Sequence, residues 1–155
     1  MKKWTQRTIQ PQDKGEAVEI SKQTINQLSN NSLYKTLGIR IESAADGEAR
    51  ARLEPTAEVC WPFSGQPHGG ILFTLMDTTM AWAVLSQRES GQNCTTINLN
   101  IHYTQPATGN FFICGARVTH QTARSSFLTA DIHDEKGRLL AMGQATFRII
   151  RGEFF

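Results

Sequence analysis

Asp77 is the only ionisable side chain between Gly69 and Ser86, a run that is otherwise apolar except for Thr74, Thr78 and Thr79. The run opens directly after His68, with two glycines, Gly69 and Gly70, at its start. A carboxylate buried charged and unpaired in such surroundings costs several kcal/mol, so its presence needs a reason. Buried acids collect at active sites, which makes catalysis the leading reading of Asp77. The competing reading is a structural acid satisfied by threonine hydroxyls. Unpaired N–H groups at a helix start hold negative charge, and glycine lets a ligand come close to the backbone. An acid and an anion-holding backbone in one run form a candidate site. Tight packing at a helix entry would also explain the glycines.

The elements that must carry this run follow from the rest of the chain. Residues 1–13 read as a loose arm. From Lys14 to Tyr34 the chain is polar, with Val18, Ile25 and Leu28 at helical spacing, which predicts a surface helix ended by Gly38. The period then becomes two. Ile39 and Ile41 alternate with charged residues, Ala45-Asp46-Gly47 signals a hairpin, and Ala49, Ala51 and Leu53 form its second strand. After a turn-rich loop from Trp61 to Pro67 comes the helix that holds Asp77, ended in a loop containing Gly91. Four strands follow in series, through Thr95–Tyr103, Phe111–His120, Ser125–Ile132 and Leu139–Ile149. Sequential strands with short turns favour an antiparallel sheet, and a single long apolar helix needs a surface to bury it. A sheet covers only one side of that helix, so a second copy of the chain is expected on the other.

Length and composition are compatible with this plan. The chain's 155 residues suit one domain with a real core. A net charge of +2 gives no electrostatic case for nucleic acid. Cys60, Cys94 and Cys114 are odd in number and widely spaced, which predicts free thiols rather than a disulfide framework, and a cytoplasmic setting. His102, His120 and His133 lack metal-ligand spacing, so no metal site is expected. The basic start has no apolar segment after it, and the Gly69–Ser86 run falls short of the roughly 20 apolar residues a spanning helix needs. No membrane partner is expected.

His68-Gly69-Gly70 opening a helix, with Asp77 eight residues after the first glycine, resembles the hotdog-fold thioesterases, and most closely their phenylacetate-pathway (PaaI-type) acyl-CoA branch. The segment from Thr96 to Ala107, with its closing Pro106-Ala107, resembles that family's strand after the helix. The likeness covers about residues 36–150. It implies an α+β hotdog fold, a curved antiparallel β-sheet wrapped around one long central helix, here with an N-terminal surface helix. The organisation expected is an arm and surface helix over 1–35, the thioesterase domain over 36–150 and a tail over 151–155. The resemblance implies Asp77 as general base or nucleophile, the Gly69 N–H polarising the thioester carbonyl, Thr96 holding the water or the acid, and His68 supporting the loop or the carbonyl. Around them Gly70, Trp61, Phe63, Ser64 and Gln66 are candidate substrate contacts. Arg124 and Ser125 lie in a strand-joining turn where the family meets the nucleotide end of CoA. One position departs. The family carries Asn six residues before the His, and this chain has Pro62 there while keeping Gly65. Ser64 or Gln66 are the candidates to replace that side chain. Alternation along the strand places Thr96 with Asn98 and His102, on the face opposite a core-facing Ile97.

Thioester hydrolysis builds charge on the carbonyl oxygen, which a helix N-terminus can hold, and it needs a base or nucleophile such as Asp77. No cofactor is implied, because coenzyme A is part of the substrate. Eight helical residues separate Gly69 from Asp77, roughly 12 Å along the axis. One thioester carbon cannot touch both, so Gly69 of one subunit is expected to work with Asp77 of another in a homodimer or homotetramer. Two alternatives remain at this point: a hotdog module that binds acyl-CoA without turnover, and a hotdog dehydratase or hydratase, for which no second acid accompanies Asp77. The acyl group, whether aryl, phenylacetyl or medium-chain, is left open.

Overall fold

The computed structural model describes residues 20–61, 65–89 and 91–152. The expected arm, Val18, and the loop residues Pro62, Phe63 and Ser64 lie outside the described residues. In chain order the elements are α1 (Lys22–Ser29), α2 (Ser32–Leu37), β1 (Ile39–Ala45), β2 (Glu48–Leu53), a 3-10 turn at Ala57–Val59, α3 (Gly69–Leu85), β3 (Gln92–Tyr103), β4 (Phe112–Gln121), β5 (Ser125–Asp134) and β6 (Leu139–Arg151).

The expected single surface helix is two helices. Asn31 breaks it, because its side chain accepts from the Tyr34 N–H at 3.0 Å and so caps a new helix. Gly38 then ends α2 in the left-handed conformation, φ 77°. Ile25 of α1 is buried and Leu28 packs beside it, as the spacing predicts. Asp46 and Gly47 both have positive φ, the geometry of a two-residue hairpin turn, and they join β1 to β2.

The six strands form one antiparallel sheet in the order β1-β2-β4-β5-β6-β3, and the sheet wraps α3. The helix buries Leu75, Met76, Met80 and Val84 against Leu53, Phe112, Leu128, Ile132 and Phe147. Each such side chain contributes about 1.5–3 kcal/mol by leaving water. Gly143 on β6 lets the helix come close. A Cβ there would run into the Met76 sulfur and lie 2.7 Å from the Asn100 carbonyl oxygen.

The sheet leaves one stripe of α3 uncovered. Gly70 and Phe73 are exposed, and Thr74, Asp77 and Ala81 are half-buried, at the three- and four-residue spacings of one helical face. The edge strand β3 borders this stripe and exposes Ile97 (58%) and Tyr103 (50%).

β3 corrects one sequence expectation. Its pairing with β6 shifts register between Thr96 and Asn98, a bulge that leaves Ile97 as the extra residue. Beyond the bulge Leu99 and Ile101 pair with the buried-face residues Ala145 and Gly143 of β6. Before it Thr96 pairs with Phe147, also on the buried face. The alternation therefore changes phase. Thr96 faces the helix, and Ile97 is not a core residue.

Candidate active site

Asp77 lies two turns into α3, on the uncovered stripe. It is half-buried rather than sealed in the core. The Thr96 hydroxyl donates to its Oδ1 at 2.7 Å, which brings together two of the residues named from sequence. No other donor reaches the carboxylate among the described residues, so Oδ2 remains available to water or a substrate. Cys94, two residues before Thr96, sits on the same side of β3 with its sulfur 3.8 Å from the Ala81 carbonyl oxygen. Burial pushes the Cys94 thiol up to about 12; Arg88 works against that rise and the charge on Asp77 adds to it.

The other end of the stripe is the start of α3. His68 is the N-cap, and its Nδ1 accepts from the Gly70 N–H at 2.9 Å. An accepting Nδ1 places the proton of the neutral ring on Nε2. The Ile71 N–H goes to the His68 carbonyl at 2.8 Å. Of the first three N–H groups only that of Gly69 has no hydrogen-bond partner among the described residues. It is the open donor that an oxyanion would require.

Two tyrosines that the sequence reading passed over complete the surroundings. Tyr103 at the end of β3 donates its hydroxyl to the Gly69 carbonyl oxygen at 2.8 Å. Tyr34 of α2 accepts from the Trp82 indole N–H at 3.1 Å and hydrogen-bonds Thr78, next to Asp77. Burial pushes the Tyr34 phenol above its ordinary value; the bonds to Trp82 and Thr78 lower it, and the Asp77 charge raises it further. Tyr103 was legible as a residue on the Leu99 and Ile101 face. Tyr34 offered no signal beyond an aromatic at the end of a surface helix.

The remaining candidates are scattered. Trp61 is 42% exposed, with its ring centroid 4.9 Å from that of His68. Gln66 is half-buried, and the Trp61 N–H donates to its carbonyl at 2.7 Å, closing the loop before the helix. Phe63 and Ser64 are outside the described residues. Arg124 and Ser125 lie in the β4–β5 turn, where both N–H groups bond the Thr122 hydroxyl. Ser125 pairs with Arg148, which pairs with Thr95, so this turn is separated from β3 by the width of β6. A trough of about 730 Å3 lies elsewhere, over Gly115 and between Arg50, Arg117 and Asp131 on the outer side of the sheet, and it contains none of the candidate residues. Among the described residues no group of His, Cys, Asp and Glu could hold a metal ion, and no helix is long and apolar enough to cross a membrane.

The sequence profile of the thioesterase superfamily matches residues 65–141, from the loop before α3 into β6. The chain is also 33% identical to a Halobacterium salinarum protein named "Putative esterase VNG_1336C", over 81% of this chain and 89% of that one. The chain belongs to the thioesterase superfamily. Its fold is the hotdog fold expected from the sequence. It superposes with TM-score 0.72 on the PaaI protein from the phenylacetic acid degradation operon of E. coli, at 27% identity, covering 82% of this chain and 90% of that chain. It matches equally well, TM-score 0.72 at 30% identity, the BH2602 protein from Bacillus halodurans, whose structure was solved with CoA; the match covers 81% of this chain and 80% of that one.

Proposed function

We propose that this thioesterase-superfamily chain hydrolyses an acyl-CoA thioester to free acid and CoA, at a site shared between two copies. The observation that carries this reading is the pairing on one uncovered stripe of a half-buried acid, Asp77 with its Thr96 donor, and a helix-start N–H, that of Gly69, which has no partner among the described residues. The two groups lie about 12 Å apart along α3, so each serves a different site when the stripes of two copies meet in antiparallel fashion. The CoA-bound relative supports the substrate class.

In the direct route Asp77 takes a proton from water, and the water oxygen attacks the thioester carbon. The Gly69 N–H of the second copy holds the oxyanion. The C–S bond then breaks, and the CoA thiolate takes the proton from Asp77. In the nucleophilic route Asp77 attacks the carbon itself, CoA leaves, and water cleaves the resulting anhydride. Neither route calls for a cofactor.

The test is thiol release over aryl-, phenylacetyl- and medium-chain acyl-CoA esters, with 18O-water in a single turnover to separate the routes. Release that depends on Asp77 supports the reading. Acyl-CoA binding with no release above the uncatalysed rate would replace it with a binding module.

A further inference from the structure

We propose that Tyr103 is a positioning residue, which with His68 grips the two polar ends of the single peptide unit joining Gly69 to Gly70 and so sets the direction of the Gly69 N–H. The inference rests on the reading of that N–H as the oxyanion donor.

The Gly69 carbonyl and the Gly70 N–H are the two ends of one planar amide. Tyr103 Oη donates to the carbonyl at 2.8 Å, and His68 Nδ1 accepts from the N–H at 2.9 Å. A plane held at both ends by side chains from different parts of the fold cannot swing. Two successive glycines would otherwise be the loosest dipeptide the chain could place at a helix entry. The preceding amide, which carries the Gly69 N–H, is held through its other end, because the His68 carbonyl accepts from Ile71 at 2.8 Å; one amide further back, the His68 N–H donates to the Val59 carbonyl at 3.0 Å. Both planes that meet at the Gly69 Cα are therefore held, and the Gly69 N–H, which has no partner among the described residues, has a fixed direction. A donor aimed before reaction needs no reorganisation when charge develops.

The contacts also reinforce one another. A carbonyl that accepts a hydrogen bond polarises its amide and strengthens the N–H at the other end. The Tyr103 ring packs on Gly69 itself, where a Cβ would lie 3.4 Å from Cζ. Burial pushes the Tyr103 phenol above its ordinary value of 10.0, which keeps the hydroxyl a donor across the working range.

Tyr103→Phe removes the hydroxyl and keeps the ring. The expected result is a kcat about tenfold lower or more, with KM within about twofold, since a misaimed donor is felt in the transition state and not in substrate binding. Backbone 15N relaxation gives a readout independent of turnover. The Gly70 amide should be rigid in the parent protein and loosen in Tyr103→Phe. His68→Ala should give a similar kcat loss, and the double variant should lose little more than either single, because the clamp works only with both ends. An unchanged kcat, a KM effect alone, a fully additive double variant, or a Gly70 amide as rigid in Tyr103→Phe as in the parent would each overturn the proposal. If the parent protein releases no thiol from any ester, the hydrolase reading fails separately, and the amide relaxation alone decides the clamp.

Discussion

Mixing two inactive variants should restore activity, and the proposed two-fold shared site sets how much. Gly69→Pro removes the proposed oxyanion donor, and its Cβ would add a 3.4 Å contact with the Tyr103 ring. Gly69 is the first residue of α3, where proline is well tolerated. His68 has φ −59° and ψ 141°, the extended conformation a following proline requires. The lost N–H bonds nothing among the described residues. Deleting one such donor costs about 100- to 1,000-fold in kcat, or about 2.7–4 kcal/mol. Asp77→Asn keeps an oxygen for the Thr96 hydroxyl and removes the base, at a cost of about 100- to 10,000-fold. When the two variants are unfolded and refolded together in equal amounts, about half of the dimers are mixed. In each mixed dimer one site carries both defects and the other carries neither, because the two-fold relation pairs Gly69 of each copy with Asp77 of the other. Half the dimers with half their sites intact should give about one quarter of the parent activity in a thiol-release assay. Mixed dimers verified by native mass spectrometry that are no faster than the separate variants would refute the shared site. It would also be refuted if a single chain with both substitutions, refolded with the parent protein, left the mixed dimers about half as active as the parent dimer, as sites within one chain would.

Three further outcomes follow from particular contacts. Thr96→Val should lower kcat/KM about ten- to a hundredfold by removing a bond to a charged group, worth about 1.5–3 kcal/mol, and Thr96→Ser should restore most of it; parent-like rates for the valine variant would separate Thr96 from the acid. Burial pushes the Cys94 and Cys114 thiols from 9.0 up to about 12. A raised folded-state value favours the neutral thiol, so this stability is intact below pH about 9 and is lost as pH rises toward about 12. Urea midpoints should fall over that window, and both thiols should react far more slowly with an aromatic disulfide in the folded protein than in urea. Equal labelling rates in the two states would contradict this. Gly143→Ala should destabilise the fold by about 1–3 kcal/mol, because its Cβ would press on the Met76 sulfur and the Asn100 carbonyl, and a parent-like urea midpoint would show that the helix has room to move.

The features readable in the sequence are those decided by local physics. A 17-residue apolar helix without proline, an Asp-Gly turn between alternating strands and a glycine that ends α2 each announce themselves within a few residues. Asp77 and Gly69 were found in the same way, as an acid in an apolar run and a glycine at its start. The break at Asn31 was missed because asparagine is compatible with a polar helix until its side chain caps the next one. Tyr34 and Tyr103 were missed because their partners are 48 and 34 residues away, and hydrogen bonds of that range leave no local pattern.

The bulge at Ile97 explains how one edge strand serves both halves of the proposed site. Thr96 holds Asp77, and Tyr103 holds the Gly69 carbonyl. These positions differ by an odd number, 103 less 96 being seven. In a regular strand, where side chains alternate with period two, they would point to opposite faces and only one could reach the helix. One extra residue between them restores agreement, and the register shift lies between Thr96 and Asn98. Reading the strand as unbroken alternation therefore had to put Thr96 on the wrong face, since Leu99, Ile101 and Tyr103 fix the phase and nothing local marks Ile97 as the residue that is skipped. A shared site adds a further consequence. In the proposed dimer the acid that Thr96 holds is paired with the glycine of the second copy, and the glycine that Tyr103 holds with that copy's acid. A change in the β3–β6 register would therefore disturb both active sites of a dimer from one chain, while leaving the α3 core formed with β2, β4 and β5 in place.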